Sequence, residues 1–288
     1  MTGAATAERP RQVPAPPRAP EPAWQRKRWT RFVLPTYFVL VLLYTLIPIA
    51  VMVLYGFNQA PAGRLTFAWN GFTVDWYRQV FDIPDLTEAL VHSLEIATLS
   101  TLIATAIGTP AALALARYRF RARAVGDLVI LADVAAPSVV VGASLLGFFV
   151  YFGVPRGFDT ILIAHVAFNI AFVVVVVQAR VTDLDQALVD AAQDLGASPW
   201  VAFWKVTFPL IFPGILAAAL LAFALSIDDF IITSFVAGQT LTFPLWVYGA
   251  VKVGIPPQVF VMGTLIFLTG VLFALAALFM QRRRPELA

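Results

Sequence analysis

Two adjacent carboxylates, Asp228 and Asp229, are the only charged residues in an apolar stretch that runs from about residue 210 to about residue 236. An ionisable side chain inside a membrane span costs about 2.5 kcal/mol or more, and it usually faces a wet cavity or a partner. A fixed carboxylate in such a cavity can bind a cation or relay a proton. It can also cap a helix or pair with another chain, so the residues alone leave these roles open.

The residues beside this pair suit a site for an organic cation. Adjacent helical residues point about 100° apart, so a straight helix could aim only one of the two carboxylates at a given point. Ser226 before the pair and Gly238 after it would ease a local unwinding, which transporters use at substrate sites. Phe230 and Phe235 could form an aromatic wall on which an ammonium group gains about 0.5–2 kcal/mol.

The rest of the chain provides a membrane setting for these residues. Hydrophobic residues make up 60% of the chain and charged residues only 13%, with a mean hydropathy of +0.81. A helix needs about 20 mostly apolar residues to cross the hydrocarbon core. The pattern predicts an all-α polytopic membrane protein with six transmembrane helices, and a loop, re-entrant in part, at 237–252. The predicted spans are 32–56, 96–116, 128–152, 160–179, about 210–236 and 253–280.

The basic residues set the predicted orientation. With six spans and the amino terminus inside, sixteen of the 20 lysines and arginines fall on cytoplasmic segments and four fall outside, as the positive-inside rule requires. Both termini are therefore expected in the cytoplasm. Residues 1–31, which are rich in proline and basic residues, are predicted to be a disordered tail. Residues 282–288 form a second predicted tail, and residues 32–281 form the membrane domain.

One predicted cytoplasmic segment, residues 182–212, is long enough to bind a partner. Gly196 is expected to end a first short helix, and Ser198 followed by Pro199 is expected to begin a second. The segment is acidic, which suits a protein partner better than the surface of an anionic bilayer. The small residues Ala191 and Ala192 would allow a partner to approach closely. Trp200, Phe203 and Trp204 would serve as large apolar anchors.

A family resemblance becomes visible in this segment. The string Asp190-Ala191-Ala192-x-x-x-Gly196, with Pro209 thirteen residues after Gly196, resembles the EAA loop of binding-protein-dependent ABC transporter permeases. Asp190 stands where that family usually has glutamate. Further segments are similar to the spermidine/putrescine (PotC-type) permeases; they are His92-Ser93-Leu94, Ala116–Arg121, Asp194–Ser198, Ser226–Phe230 and Thr233–Gly238.

The resemblance implies a type I ABC importer permease fold in a bacterial inner membrane. It implies that the loop docks on a separate ATP-binding subunit, through Asp190, Ala191, Ala192, Gly196, Ser198, Trp200 and Pro209. It also implies a second permease subunit, an extracytoplasmic solute-binding protein and a small cationic substrate, most simply a polyamine. The substrate path would include Asp228, Asp229, Ser226, Phe230 and Asp133.

One departure weakens the polyamine assignment. The similar permeases often have Pro-Asp in the third span, where this chain has Pro137-Ser138. An acid expected in the cavity is therefore missing. Asp133 lies about one helical turn earlier and is expected to replace it only in part.

Several functions are disfavoured by what the chain lacks. No Gly-Lys dipeptide of a phosphate-binding loop occurs, so ATP is expected to bind a partner subunit. There is no cysteine, metal-ligand spacing or nucleophile elbow, so we expect no catalytic residue, metal or cofactor, and no nucleic-acid partner is expected. His92 and His165 are expected to be hydrogen-bonded packing residues. The open alternatives are a proton-coupled secondary carrier that uses Asp228-Asp229 as a relay, a non-transporting scaffold, and an ABC permease for a different small solute.

Overall fold

The computed structural model describes residues 30–61, 63–64 and 68–282, which form helices joined by turns. Within these ranges the β-structure consists of one isolated antiparallel bridge between Asn58 and Phe72. The two predicted tails, residues 1–31 and 282–288, lie outside the described residues except at their inner ends.

Twelve α-helices follow one another along the described ranges, with a π-helical turn between the eighth and the ninth at Phe203–Thr207. In chain order they are α1 (Thr30–Tyr55), α2 (Asp75–Arg78), α3 (Pro84–Arg117), α4 (Arg123–Ala135), α5 (Ser138–Tyr151), α6 (Phe158–Thr182), α7 (Gln186–Asp194), α8 (Pro199–Ala202), α9 (Phe208–Ile227), α10 (Ile231–Val236), α11 (Phe243–Val253) and α12 (Gln258–Arg282).

Four helical segments of the described chain are long and apolar enough to cross a membrane: Phe32–Tyr55, Pro84–Arg117, Phe158–Thr182 and Pro199–Ile227. The bent pair α4 and α5 supplies a fifth candidate. In α12 a shorter apolar stretch covers Gln258–Leu272. The chain is thus an α-helical polytopic membrane protein, and the count of six spans stays a prediction.

The predicted third span, residues 128–152, is not one straight helix. It is divided into α4 and α5, which meet at an angle of 109°. Pro137 explains the break because it offers no backbone N–H and pushes the preceding residue towards extended backbone. Ala136 indeed has φ −70° and ψ 133°. The chain is therefore bent where one continuous helix was expected, while the two halves together remain a candidate span.

The predicted loop at 237–252 was also wrong in its second half. Residues 243–253 form α11, and Pro244 lies in its first turn, where a missing N–H costs nothing. The backbone N–H of Phe243 at the start of this helix donates to the hydroxyl of Ser93 on α3 at 2.9 Å. A distant side chain thus caps the helix, which local sequence could not show.

Two compact units divide the chain, Met1–Val51 and Met52–Ala288. In the first unit the described residues, 30–51, belong to α1. This helix contains Pro35 and Pro48, which membrane helices tolerate better than soluble ones. The second unit holds the end of α1 and all the later helices.

Within the second unit, α3, α6 and α9 pack against one another around a core of small and β-branched residues. A Cβ atom added to Gly108 of α3 would lie 2.7 Å from Cγ1 of Val173 on α6. This spacing shows that the two backbones approach closely. Small residues allow such close packing of helices in lipid, where van der Waals contact rather than water exclusion holds helices together.

A second cluster holds the short helix α10 in place. Ile232 and Val236 of α10 are buried against Phe149 of α5 and against Ile161 and Ala164 of α6. The polar break that precedes α10 is therefore seated between packed helices.

Candidate functional site

The fifth predicted span is interrupted at its two carboxylates. Helix α9 ends at Ile227, and α10 begins only at Ile231. Asp228 has φ −98° and ψ −2°, so the chain leaves the regular helix at this residue. A discontinuous helix frees backbone and side-chain groups that an intact helix would use internally, an arrangement found at the substrate sites of membrane transporters.

Asp229 turns towards the protein and caps the next helix. Its Oδ2 atom accepts the backbone N–H and the hydroxyl of Thr233, both at 2.8 Å, and Oδ1 accepts the N–H of Ile232 at 3.4 Å. Only 13% of its side chain is exposed. This arrangement satisfies two orphan donors at the start of α10. The carboxylate of Asp229 is thus committed to the fold.

Asp228 has the opposite environment, although it is the preceding residue. Its side chain is exposed, and no lysine, arginine or histidine of the described residues forms an ion pair with it. Phe230 is half-buried and packs on Tyr248 of α11 with ring centroids 4.7 Å apart. The amino group of Lys252 lies 5.2 Å from the centroid of the Tyr248 ring. The Tyr248 ring thus already has one primary ammonium of the chain, that of Lys252 one helical turn later, within cation–π distance.

His165 of α6 connects both sides of the break. Its Nδ1 atom lies 2.7 Å from Oγ of Ser226, and its Nε2 atom lies 2.9 Å from Oγ1 of Thr233. Nε2 is also 3.5 Å from Oδ2 of Asp229. The expected hydrogen-bonded packing role of His165 agrees with these contacts. Ser226, predicted in the substrate path, is buried in this network instead of lying on an exposed surface.

The network extends to a third helix. Oγ of Ser100 on α3 lies 3.1 Å from Oγ of Ser226, and the side-chain amide of Asn169 donates to Ser100 at 3.4 Å. All three residues are buried. His165 and Asn169 are four residues apart on α6 and share one face of the helix. That polar pair in an apolar span was the signal that could have indicated the network, and the sequence interpretation missed it.

The remaining candidates lie apart from this break or at its edge. Phe235 of α10 packs against Gly142 of α5. Asp133 is half-buried on α4, and within the described ranges no hydrogen bond or ion pair links it to Asp228. Tyr248 was missed because it lay in a predicted loop.

The predicted coupling segment begins as expected. Asp185 caps α7 by accepting the N–H of Ala187 at 2.9 Å, and Asp190 is exposed on α7, where it accepts a hydrogen bond from Gln186. Gly196 follows with φ +89°, a conformation that favours glycine.

The second short helix differs from the expectation. Ser198 caps it by accepting the N–H of Val201 at 3.4 Å, but the helix continues without interruption into the fifth span as Pro199–Ile227. Pro209 therefore lies in the first turn of α9, not in a loop. The π-helical turn before it, closed by a bond from the N–H of Phe208 to the carbonyl of Phe203, lets the helix pass a proline.

The apolar surface of the segment is exposed around the turn. Trp200 is 70% exposed and packs edge-on against Trp204 at 5.7 Å. Leu195, which the sequence interpretation did not single out, is 90% exposed. Ala191 is exposed and Ala192 is half-buried on α7. Large apolar side chains grouped at an exposed turn are typical anchors of a protein interface.

The broken spans, the exposed carboxylate and the exposed loop are features of a membrane transport subunit. Residues 104–285 match the family of binding-protein-dependent transport system inner membrane components, and the chain belongs to this family. The spermidine/putrescine permease PotC of Escherichia coli (strain K12) is 35% identical over 244 residues, which cover 84% of this chain and 91% of PotC. The putrescine permease PotI of the same strain is 38% identical over 227 residues, covering 76% and 80%.

Solved structures agree on the fold. A chain of the bacterial alginate ABC transporter, crystallised with an alginate pentasaccharide-bound periplasmic protein, has a TM-score of 0.63, 17% identity, and coverage of 90% of this chain and 96% of that one. An amino acid ABC transporter chain has a TM-score of 0.57 and 19% identity, with 74% and 100% covered. The protein is therefore a permease subunit of an ABC importer.

Proposed function

We propose that this subunit imports a polyamine by ATP-driven alternating access. The proposal rests on the different environments of two adjacent aspartates. Asp229 caps α10, whereas Asp228 stays exposed beside the Phe230–Tyr248 aromatic pair. A polyamine carries ammonium groups along an apolar chain, so it matches a carboxylate next to aromatic rings. The names of the relatives PotC and PotI support the same substrate class.

The assembly follows from the size of the subunit and the shape of its loop. We propose that a second permease chain completes the path, because few spans are available in one chain to enclose it. A separate ATPase docks on residues 182–212, in which the four aspartates and both tryptophans are exposed. A solute-binding protein delivers the substrate from the outside. ATP-driven closure of the ATPase pair moves α7 and thereby switches the path between its two faces.

The secondary carrier is the main rival, and the polar network argues against it. A proton relay needs groups that gain and lose protons along its whole length. The hydrogen-bonded chain that reaches Asp229 begins at the amide of Asn169, and an amide keeps its protons at ordinary pH. An exposed coupling loop would also have no use in a carrier without a motor.

Reconstitution tests the proposal. The complete importer, with its ATPase and its partner permease, is placed in proteoliposomes, and uptake of labelled putrescine and spermidine is measured with the binding protein outside. We expect uptake that requires internal ATP and the binding protein and that survives collapse of the pH gradient. Uptake driven by an imposed pH gradient without ATP would establish the carrier. ATP hydrolysis stimulated by another solute but not by polyamines would assign a different substrate.

A further inference from the structure

We propose that His165 is a positioning residue that sets the place of the Asp228 carboxylate in the substrate path, an inference that rests on the proposed function. His165 is only 3% exposed. Its two ring nitrogens contact opposite sides of the break, Ser226 at the end of α9 and Thr233 in α10. Because the ring is buried, its role must follow from these contacts within the protein.

The direction of each hydrogen bond can be derived from the carboxylate end. An ionised Asp229 can only accept, so the hydroxyl proton of Thr233 points to it. The oxygen of Thr233 must then accept the proton on Nε2 of His165. In a neutral imidazole the other nitrogen, Nδ1, is left as an acceptor. The network thus assigns the tautomer with the proton on Nε2.

On the Nδ1 side of the His165 ring the hydrogen bonds can be assigned in the same way. Nδ1 of His165 accepts the hydroxyl proton of Ser226 at 2.7 Å, and the oxygen of Ser226 accepts from Ser100 at 3.1 Å. The oxygen of Ser100 in turn accepts from the amide of Asn169 at 3.4 Å. The Ser100 hydroxyl also lies 3.3 Å from the carbonyl of Ala97 on its own helix, so the Ser226 oxygen is its nearer acceptor. In these directions the five side-chain bonds from Asn169 to Asp229 all point towards the carboxylate. Aligned bonds of this kind strengthen one another in a low-dielectric interior.

The consequence for Asp228 is geometric. His165 holds Ser226 on one side through Nδ1 and holds the Thr233–Asp229 cap on the other through Nε2. Asp228 is therefore confined between two residues that are anchored to one buried ring. Its backbone has little freedom to move, and its carboxylate is held at the exposed side of the break. Pre-organised charge of this kind binds a cation without first having to be ordered.

A double-mutant cycle distinguishes positioning from general packing. His165→Leu removes both ring contacts at similar volume, and we expect the KM for polyamine uptake to rise about tenfold with little change in the maximal rate per transporter. In an Asp228→Asn background the same change should add less than about twofold, because the carboxylate it positions is already gone. His165→Gln, which keeps an N–H donor, should restore most of the affinity.

The other histidine of the chain is the matched control. His92 lies on α3 and contacts the carbonyl of Leu241 at 3.1 Å through one ring nitrogen, and it takes no part in the break. His92→Leu should leave the KM unchanged. Uptake is normalised to the amount of assembled importer in the membrane.

Three outcomes would overturn the inference. They are an unchanged KM in His165→Leu, effects of His165→Leu and Asp228→Asn that multiply independently, and a loss in His165→Gln as large as in His165→Leu. If His165→Leu does not assemble, Ser226→Ala cuts the same bridge on the α9 side and enters the same cycle, with the same criterion. Absence of polyamine uptake by the wild-type importer would contradict the proposed function instead, so the two failures are distinguishable.

Discussion

A Cβ atom on Gly142 would lie 2.6 Å from Cδ2 of Phe235 and 3.2 Å from Cα of Ile232. Gly142 belongs to α5, the second half of the broken third span, and both neighbours belong to α10, which follows the break at the carboxylates. The third and fifth predicted spans, both interrupted, therefore meet at Gly142, where any side chain larger than hydrogen would clash. The packing also places the aromatic ring of Phe235 against α5.

The first prediction concerns this contact. Gly142→Ala should reduce the unfolding free energy of the subunit by about 1–3 kcal/mol, because an added methyl group forces α5 and α10 apart. Gly147→Ala is the control on the same helix, since a Cβ there meets nothing within 4 Å, and it should be neutral or slightly stabilising. Thermal unfolding of the purified importer measures both. Equal melting temperatures for the two variants would show that the contact is not tight.

The second prediction separates the two adjacent acids. Asp228→Asn should lower uptake at low polyamine concentration about tenfold to hundredfold, because a charge-assisted contact of roughly 1.5–3 kcal/mol is lost. Asp229→Asn should change the KM less and should lower thermal stability by about 1 kcal/mol, because asparagine can still cap α10 but accepts weaker hydrogen bonds. Uptake and melting temperature are measured on both variants.

The reverse pattern would contradict this assignment. Wild-type uptake by Asp228→Asn at every concentration would remove Asp228 from the path. Loss of assembly without a selective loss for cations would assign it a structural role instead.

The third prediction concerns coupling to the ATPase. Gly196 has φ +89° and open space around it, so Gly196→Val strains the backbone by about 1–2 kcal/mol without a steric clash. The turn that presents α7 should then be displaced, and uptake and substrate-stimulated ATP hydrolysis should both be lost while membrane insertion remains. Gly153→Val is the matched control, because Gly153 has φ +66° and is equally open but follows α5. Normal coupled hydrolysis in Gly196→Val would refute the docking role.

The sequence predicted well those features that depend on neighbouring residues. Hydropathy located the long helices α1, α3 and α6 because a membrane span needs a continuous apolar run. Local capping rules located the start of α8 at Ser198 and the turn at Gly196. The rule that a residue before proline avoids the helix could also have indicated the 109° bend at Pro137.

The sequence could indicate that polar residues such as His165 and Asn169 are buried, but it could not show which distant residues they contact. The partner of Asp229, His165, lies 64 positions away in the chain, and the cap of α11, Ser93, lies 150 positions from Phe243. A single sequence does not show which polar groups meet across a packed helix bundle. Tyr248 was overlooked for a related reason, because α11 is short and follows a stretch of turn-forming residues.

The fourth prediction concerns orientation. With six spans, the bias of sixteen basic residues against four predicts that both termini lie in the cytoplasm. A reporter enzyme that is active only outside the cytoplasm should be silent when fused after Arg284 and active when inserted near Gly63. Alkaline phosphatase activity, normalised to fusion-protein level, measures this. An active fusion after Arg284 would require a different number of spans.

The last prediction uses the position at which the chain departs from the similar permeases. Ser138 begins α5 immediately after Pro137 and is half-buried at the bend. A carboxylate at the first position of a helix is favoured by the helix dipole, so Ser138→Asp should fold without difficulty. If this bend faces the same path as Asp228, a second separated acid should bind a second ammonium group of a polyamine. We expect the KM for spermidine to fall about threefold to tenfold, with a smaller effect on a monoamine. Ser138→Asn is the control, because asparagine has the same shape as aspartate but no charge. An unchanged KM in Ser138→Asp, or an equal change in both variants, would place this bend outside the substrate path and would favour a solute other than a polyamine.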